Sequence, residues 1–110
     1  MANVELHREN AAILFAALGD PTRLSLLTTL SDGRERSIAG LSVGTVLTRQ
    51  AVTKHLRVLE QAGLVHSTKV GRESHFAFQP DRIGEMRAYL DSVSRQWDDA
   101  LERLRAFVER

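Results

Sequence analysis

Between Thr48 and Val65 the chain reads TRQAVTKHLRVLEQAGLV, and within it Arg49, Gln50, Thr53, Lys54 and Arg57 recur at offsets of three and four residues. Each offers a donor suited to nucleic acid. An Arg fork gives two bonds to the major-groove edge of guanine, a Gln amide pairs with adenine, and Thr or Lys reaches base edges or phosphates. At about 100° per residue the five fall within an arc of about 140° on a helix. Ala51, Val52, His55, Leu56, Val58 and Leu59 take the opposite arc. One side is built to pack and the other presents donors, with a single acid, Glu60, at its far end. By angle His55 belongs to the packing side, although it follows Lys54 directly. Thr48 occupies the place of an N-cap, where its hydroxyl can also touch phosphate, and Gly63 the place of a C-cap.

Other elements must hold this helix. Val4 to Leu18 is dense in Ala, Ile, Leu and Phe, which predicts a helix buried on more than one side. Asp20-Pro21 supplies an N-cap and a first-turn proline for a second helix over TRLSLLTTL, closed near Gly33. A short third helix from Ser37 to Val43 with Ile38 and Leu41 inward, a turn at Gly44-Thr45-Val46, and the donor-bearing helix make a helix-turn-helix. LVHSTKV and ESHFAFQ then flank Gly71-Arg72, a spacing that predicts a type II′ hairpin. In that register Val65, Phe76 and Phe78 share the packing face, His66, Thr68, His75 and Ala77 share the other, and the tip from Lys69 to Arg72 is free. The expected fold is mainly α, about five helices with a β-hairpin wing: a winged helix-turn-helix.

The last helix opens at Pro80-Asp81 and meets no strong breaker before Phe107. Ile83, Met86, Leu90, Val93, Trp97, Ala100, Leu104 and Phe107 repeat along it at the spacing of a helix packed lengthwise on another. Ile83 to Leu90 fits an intramolecular core. From Trp97 onward the stripe outruns what a small domain can cover. Phe15, Leu90, Val93, Trp97, Ala100, Leu104 and Phe107 are therefore the expected interface of a homodimer formed by the first and last helices, with 81–110 as the dimerisation helix.

At 110 residues the chain is expected to be one domain, 1–110, and its 26% charged content is ordinary for a soluble protein. The net charge of +1 hides an asymmetry. Residues 34–72 carry Arg34, Arg36, Arg49, Lys54, Arg57, Lys69 and Arg72 against Glu35 and Glu60, a net +5, while each flank nets −2. A basic centre between acidic ends points to a localised polyanion surface. The absence of cysteine excludes disulfides, thiolate metal sites and a Cys nucleophile. No secretory signal or long apolar run is present, so a cytoplasmic location without membrane contact is expected. No nucleophile–base pair, phosphate loop or paired acids are readable, and Asp98-Asp99 diverge on a helix, so no enzyme is expected.

In LGDPTRLSLLTTL, TRQAVTKHLRVLEQAGLV, VGRESHFAF and AYLDSVSRQWDDALERLRAFVE the chain resembles the ArsR/SmtB-type winged-helix repressors over residues 11 to 109. The resemblance implies a homodimer on an inverted repeat of double-stranded DNA, with reading positions Thr48, Arg49, Gln50, Thr53 and Lys54, Arg72 at the wing, and an effector that weakens binding. Metal-sensing members carry Glu-Leu-Cys-Val-Cys-Asp-Leu at the third helix; here Ser37 and Ala39 stand at the ligand positions. Others carry Asp, His, His and Glu along the last helix, yet no histidine follows His75. Gly40, Thr45 and Val46 also depart from the family's turn residues. No metal or other cofactor is expected, and the effector is an unknown small molecule. Of the histidines, His55 fits packing better than ligation, His66 and His75 are diagonal neighbours on the wing that could pair as nitrogen ligands but make a poor metal site with no carboxylate expected nearby, and His7 is uninformative.

The expected function is sequence-specific repression of transcription through Thr48, Arg49, Gln50, Thr53, Lys54 and Arg57 on the helix and Lys69 and Arg72 on the wing. The alternative is a winged-helix module that binds protein through its last helix and has no affinity for DNA. The basic run over 34–72 favours the first.

Overall fold

The computed structural model describes residues 2–109, with side chains from residue 8 onward, so the His7 side chain lies outside the described residues. The order is α1 (Ala2–Leu18), α2 (Pro21–Leu30), β1 (Arg36–Ser37), α3 (Ile38–Ser42), α4 (Arg49–Gln61), β2 (Val65–Val70), β3 (Glu73–Phe78) and α5 (Asp81–Val108). This is the winged helix-turn-helix with five helices that the patterning predicts.

The caps explain most boundaries. The Asp20 carboxylate accepts the Arg23 N–H at 3.0 Å, and Pro21 follows where a missing donor costs nothing. The Thr48 hydroxyl accepts the Ala51 N–H at 3.1 Å to start α4. At the other end of α4 the Gly63 N–H donates to the Glu60 carbonyl at 2.9 Å and the Leu64 N–H to the Leu59 carbonyl at 3.0 Å. These are the paired bonds of a Schellman motif, which needs the left-handed φ of 79° that Gly63 supplies. Leu64 then drops into the core and redirects the chain into β2.

The hairpin register is the expected one: Val65 pairs with Phe78, Thr68 with His75 and Val70 with Glu73. Gly71 takes φ of 64° while no non-glycine among the described residues has positive φ, the signature of a type II′ turn. A third strand is an addition to the expected hairpin. Arg36 pairs with Phe76 and Ser37 with His75, so the sheet order is β1-β3-β2. Ser37 is thus not inside the third helix; it ends β1 and caps α3, accepting the Gly40 N–H at 3.0 Å.

One cluster of buried side chains joins the elements: Leu14 and Ala17 of α1, Leu26, Leu27 and Leu30 of α2, Leu41 of α3, Val52, Leu56 and Leu59 of α4, Val65 and Phe76 of the sheet, and Met86 of α5. The three α4 residues fix the roll of that helix. Leu56 has no exposed surface, and truncating it to Ala costs about 2–5 kcal/mol on general grounds.

Two expectations about packing require correction. α1 is not covered on several sides: Ala11, Leu14 and Ala17 are buried, while Ile13 and Phe15 are open to solvent. α2, α4 and α5 all meet α1, and they leave Ile13 and Phe15 uncovered. Nor does the core extend to Leu90, which is 51% exposed. Tyr89 turns toward α1 instead, with its ring centroid 6.1 Å from that of Phe15. Farther along α5, Trp97, Leu101, Leu104 and Phe107 are each more than half exposed. Among the described residues no helix is long and apolar enough to cross a membrane.

Candidate nucleic-acid interface

Because Val52, Leu56 and Leu59 are locked into the core, the opposite side of α4 must face outward. Arg49, Gln50 and Lys54 lie there, exposed, and among the described residues their side chains make no hydrogen bond or ion pair. Thr48 is exposed at the leading end, its hydroxyl engaged as the cap. Thr53 is half-buried, and its hydroxyl donates to the Arg49 carbonyl at 2.7 Å, which leaves its lone pairs and methyl group outward.

The wing places a second set of donors beside these. Lys69 and Arg72 flank Gly71 at the exposed tip. Between α3, α4 and the wing runs an open cleft of about 470 Å³ whose walls include Ser37, Arg49, Gln50, Thr53 and Arg72. The structure thus brings Arg49, Gln50, Thr53 and Arg72 to one cleft, while Lys54 and Lys69 lie outside it. Glu73, which sequence reasoning left unremarked, also lines this cleft and is a carboxylate among the cations.

Arg57 differs from its neighbours. Its Nη1 donates to Glu60 at 2.8 Å and its guanidinium lies 5.4 Å over the Phe76 ring. The second Glu60 oxygen accepts the Ser67 hydroxyl. Glu60 is consequently held below the usual carboxylate range, first by Ser67 and then by Arg57. Arg57 and Glu60 therefore tie the end of α4 to β2. Arg36 is similarly committed: its Nη2 meets Asp32 at 2.6 Å and its Nη1 donates to the Thr29 carbonyl at 2.8 Å. That fork brings the Asp32 carboxyl down to about 2. So the basic centre divides into cations held inside the fold and cations left to the surface, a division that counting charges does not reveal.

The wing histidines go to separate partners. His66 Nδ1 lies 2.8 Å from Gln79 Oε1. His75 has Glu35 3.1 Å from Nδ1 and Glu73 2.9 Å from Nε2. Carboxylates do stand near His75, contrary to the expectation of none, but they do not enclose His66. Among the described residues no group of three or more His, Asp or Glu is arranged to hold a metal ion. His55 packs toward the start of α2, its side chain 24% exposed beside Asp20 and Arg23.

Residues 18–68 match the family model of a helix-turn-helix domain. The HTH-type transcriptional regulator YuzN of Bacillus subtilis is 42% identical over 69 residues, which are 57% of this chain and 75% of that protein. The arsenical resistance operon repressor of Escherichia coli is 30% identical over 95 residues, 86% of this chain and 79% of its own. Among solved structures, an ArsR-like transcriptional regulator from Rhodococcus superposes with a TM-score of 0.77 at 34% identity, covering 91% of this chain and 93% of that one.

Proposed function

The chain belongs to the ArsR/SmtB family of DNA-binding transcriptional regulators, which are not enzymes, and from that premise we propose that it is a homodimeric repressor reading an inverted repeat with α4 and its wing. The observation that carries the proposal is the set of donors, Arg49, Gln50 and Lys54, unpartnered among the described residues, on the outer side of a helix whose other side is anchored by the buried Val52, Leu56 and Leu59. Thr48 and Thr53 flank them, and Lys69 and Arg72 extend the surface toward the neighbouring backbone or minor groove. Arg57 contributes chiefly by steadying α4 against the sheet.

Dimerisation in this reading uses Phe15, Leu90, Val93, Trp97, Ala100, Leu104 and Phe107, with Leu101 added by its 58% exposure on the same part of α5. Residues 1–110 then act as one DNA-binding unit in the cytoplasm, with α5 as its dimerisation helix. A small effector other than a metal ion releases the DNA, in keeping with Ser37 and Ala39 at the third-helix positions.

The test is selection of duplexes from a random library by the wild-type protein, followed by titration of the winners against random DNA. Arg49→Ala and Gln50→Ala should each lose about 1–3 kcal/mol on a selected duplex and relax preference at one base pair per half-site. A wild-type protein that binds selected and random duplexes equally would overturn the reading.

A further inference from the structure

The junction where α1, α2 and α4 meet is held by one guanidinium. Arg23, in the first turn of α2, folds back so that its Nε donates to the Ala17 carbonyl at 2.5 Å and its Nη2 to the Ala16 carbonyl at 3.3 Å. Both acceptors lie in the last turn of α1, where carbonyls lack a partner within the helix. The remaining arm reaches across to α4, with Nη1 3.3 Å from His55 Nδ1. His55 lies next to Lys54 and one turn beyond Ala51, so a change in what holds it adds to the packing of Val52, Leu56 and Leu59 in orienting the side that carries Arg49, Gln50 and Lys54.

The chemistry of this contact allows two arrangements. A guanidinium only donates, so Nδ1 must accept and the neutral ring must carry its proton on Nε2. If Nδ1 gains a proton, donor faces donor and two positive charges face each other. Among the described residues the carboxylate that then pairs with it is Asp20, whose Oδ2 lies 3.8 Å from the same nitrogen. Asp20 remains ionised because its carboxyl lies below the usual range, chiefly through the N–H of Arg23, with the proximity of His55 and the Arg23 charge adding to it. The charged groups placed against the ring are thus Asp20 and Arg23, both from the α1–α2 junction, while the last turn of α1 supplies backbone carbonyls to Arg23. His55 can be held by Arg23 or by Asp20, but not by both through Nδ1.

We propose that Arg23 is a positioning residue for DNA recognition, coupling the end of α1 to the reading helix, and that His55 makes this joint switchable between an Arg23-bound and an Asp20-bound state. The consequence is directional. α1 packs on α5, so a change at the α1–α5 end reaches α4 through a fork that spans both helices. The proposal rests on the DNA-binding reading above. It adds to that reading a site of control remote from the donors themselves.

The probes are a duplex selected by the wild-type protein and a random duplex of equal length. Arg23→Gln should weaken binding to the selected duplex by about 2- to 30-fold while leaving random-duplex binding within about twofold, because flexible ammonium groups such as Lys54 and Lys69 can still reach phosphates after a small change in the roll of α4, whereas base-edge contacts cannot. Arg23→Lys should restore only part of the loss, since a single ammonium cannot span three acceptors on two helices. His55→Gln keeps a neutral side chain. It should abolish the fall in selected-duplex affinity expected of the wild type when pH is lowered through the range in which histidine side chains take up a proton. Full rescue by lysine, equal losses on both duplexes, or a His55→Gln profile parallel to the wild type would each overturn the proposal. If Arg23→Gln fails to fold, the His55→Gln profile still decides. If the wild type selects no sequence at all, it is the DNA-binding reading that fails rather than the joint.

Discussion

The outer side of α4 and the outer half of α5 are both unsatisfied, in opposite ways. α4 presents Arg49, Gln50 and Lys54, cations and an amide without partners among the described residues, on a helix fixed by three buried residues. α5 presents Trp97, Leu101 and Leu104, apolar side chains between 58% and 64% exposed, along its second half. Water satisfies the first set readily and the second poorly. A surface of unpaired donors is stable alone and waits for a ligand with acceptors. A stripe of exposed Trp and Leu lowers its free energy only by being covered. In the proposed dimer the two ends would therefore differ in when they act: α5 covered at all times and α4 on encounter with DNA.

That difference predicts the largest effect at the end farthest from DNA. Trp97→Glu with Leu104→Glu should convert the dimer to a monomer by sedimentation, at a cost of about 2 kcal/mol or more, because charge would be buried at the centre of the stripe. Affinity for a duplex with two half-sites should fall with it, whereas affinity for a single half-site should change little. A double variant that stays dimeric would remove α5 from the interface. Next in size comes Lys54→Ala, expected to weaken binding to selected and random DNA together and to reduce the slope of log K against log salt by about 1. Lys69→Ala should do the same at the wing tip. If Lys54→Ala instead changed base preference, Lys54 would belong with Arg49 and Gln50 as a reading residue.

The sequence made the two ends legible to different degrees, for physical reasons. Caps and turns are local chemistry, so Asp20-Pro21, Thr48, Gly63 and Gly71 announced their elements, and the hairpin register followed from loop length alone. β1 did not announce itself, since a two-residue strand has no alternation to detect and exists only because β3 offers it a free edge. Along α5 the apolar repeat was visible, but its division between core and surface was not. Leu90 and Tyr89 are adjacent and both apolar enough to pack, and only the position of Phe15 on α1 decides that Tyr89 turns inward. The candidate site was legible in its residue types and less so in their commitments. Arg49 and Arg57 look equivalent on a helical wheel. Yet Glu60, three residues on, and Phe76, from a distant strand, remove Arg57 from the free set.

Arg57 and Arg36 are where this distinction is measured, because replacing a committed cation should touch stability more than DNA. Arg57→Ala loses its pairing with Glu60 and its stacking on Phe76, and half-exposure limits the loss to about 0.5–1 kcal/mol. Thermal unfolding should register that loss, while preference among bases stays as in the wild type. A change of base preference larger than the change in stability would return Arg57 to the reading set.

The Asp32–Arg36 fork predicts the smallest effect, and its sign is fixed by the direction of the shift. The Asp32 carboxyl is lowered from 3.8 to about 2, first by the hydrogen bond from the Arg36 side chain and then by the Arg34 N–H. A carboxyl depressed in the folded state contributes stability above its unfolded value, and that contribution disappears as pH falls through the folded one. The contribution should therefore be intact at neutral pH, begin to decline near 3.8 and be gone below about 2. Asp32→Asn, which cannot titrate, should show a shallower acid limb in that window when unfolding is followed by circular dichroism. Identical acid limbs for the two proteins would mean that the fork is as well formed in the unfolded chain as in the folded one. β1 would then be held in place by its pairing with β3 alone.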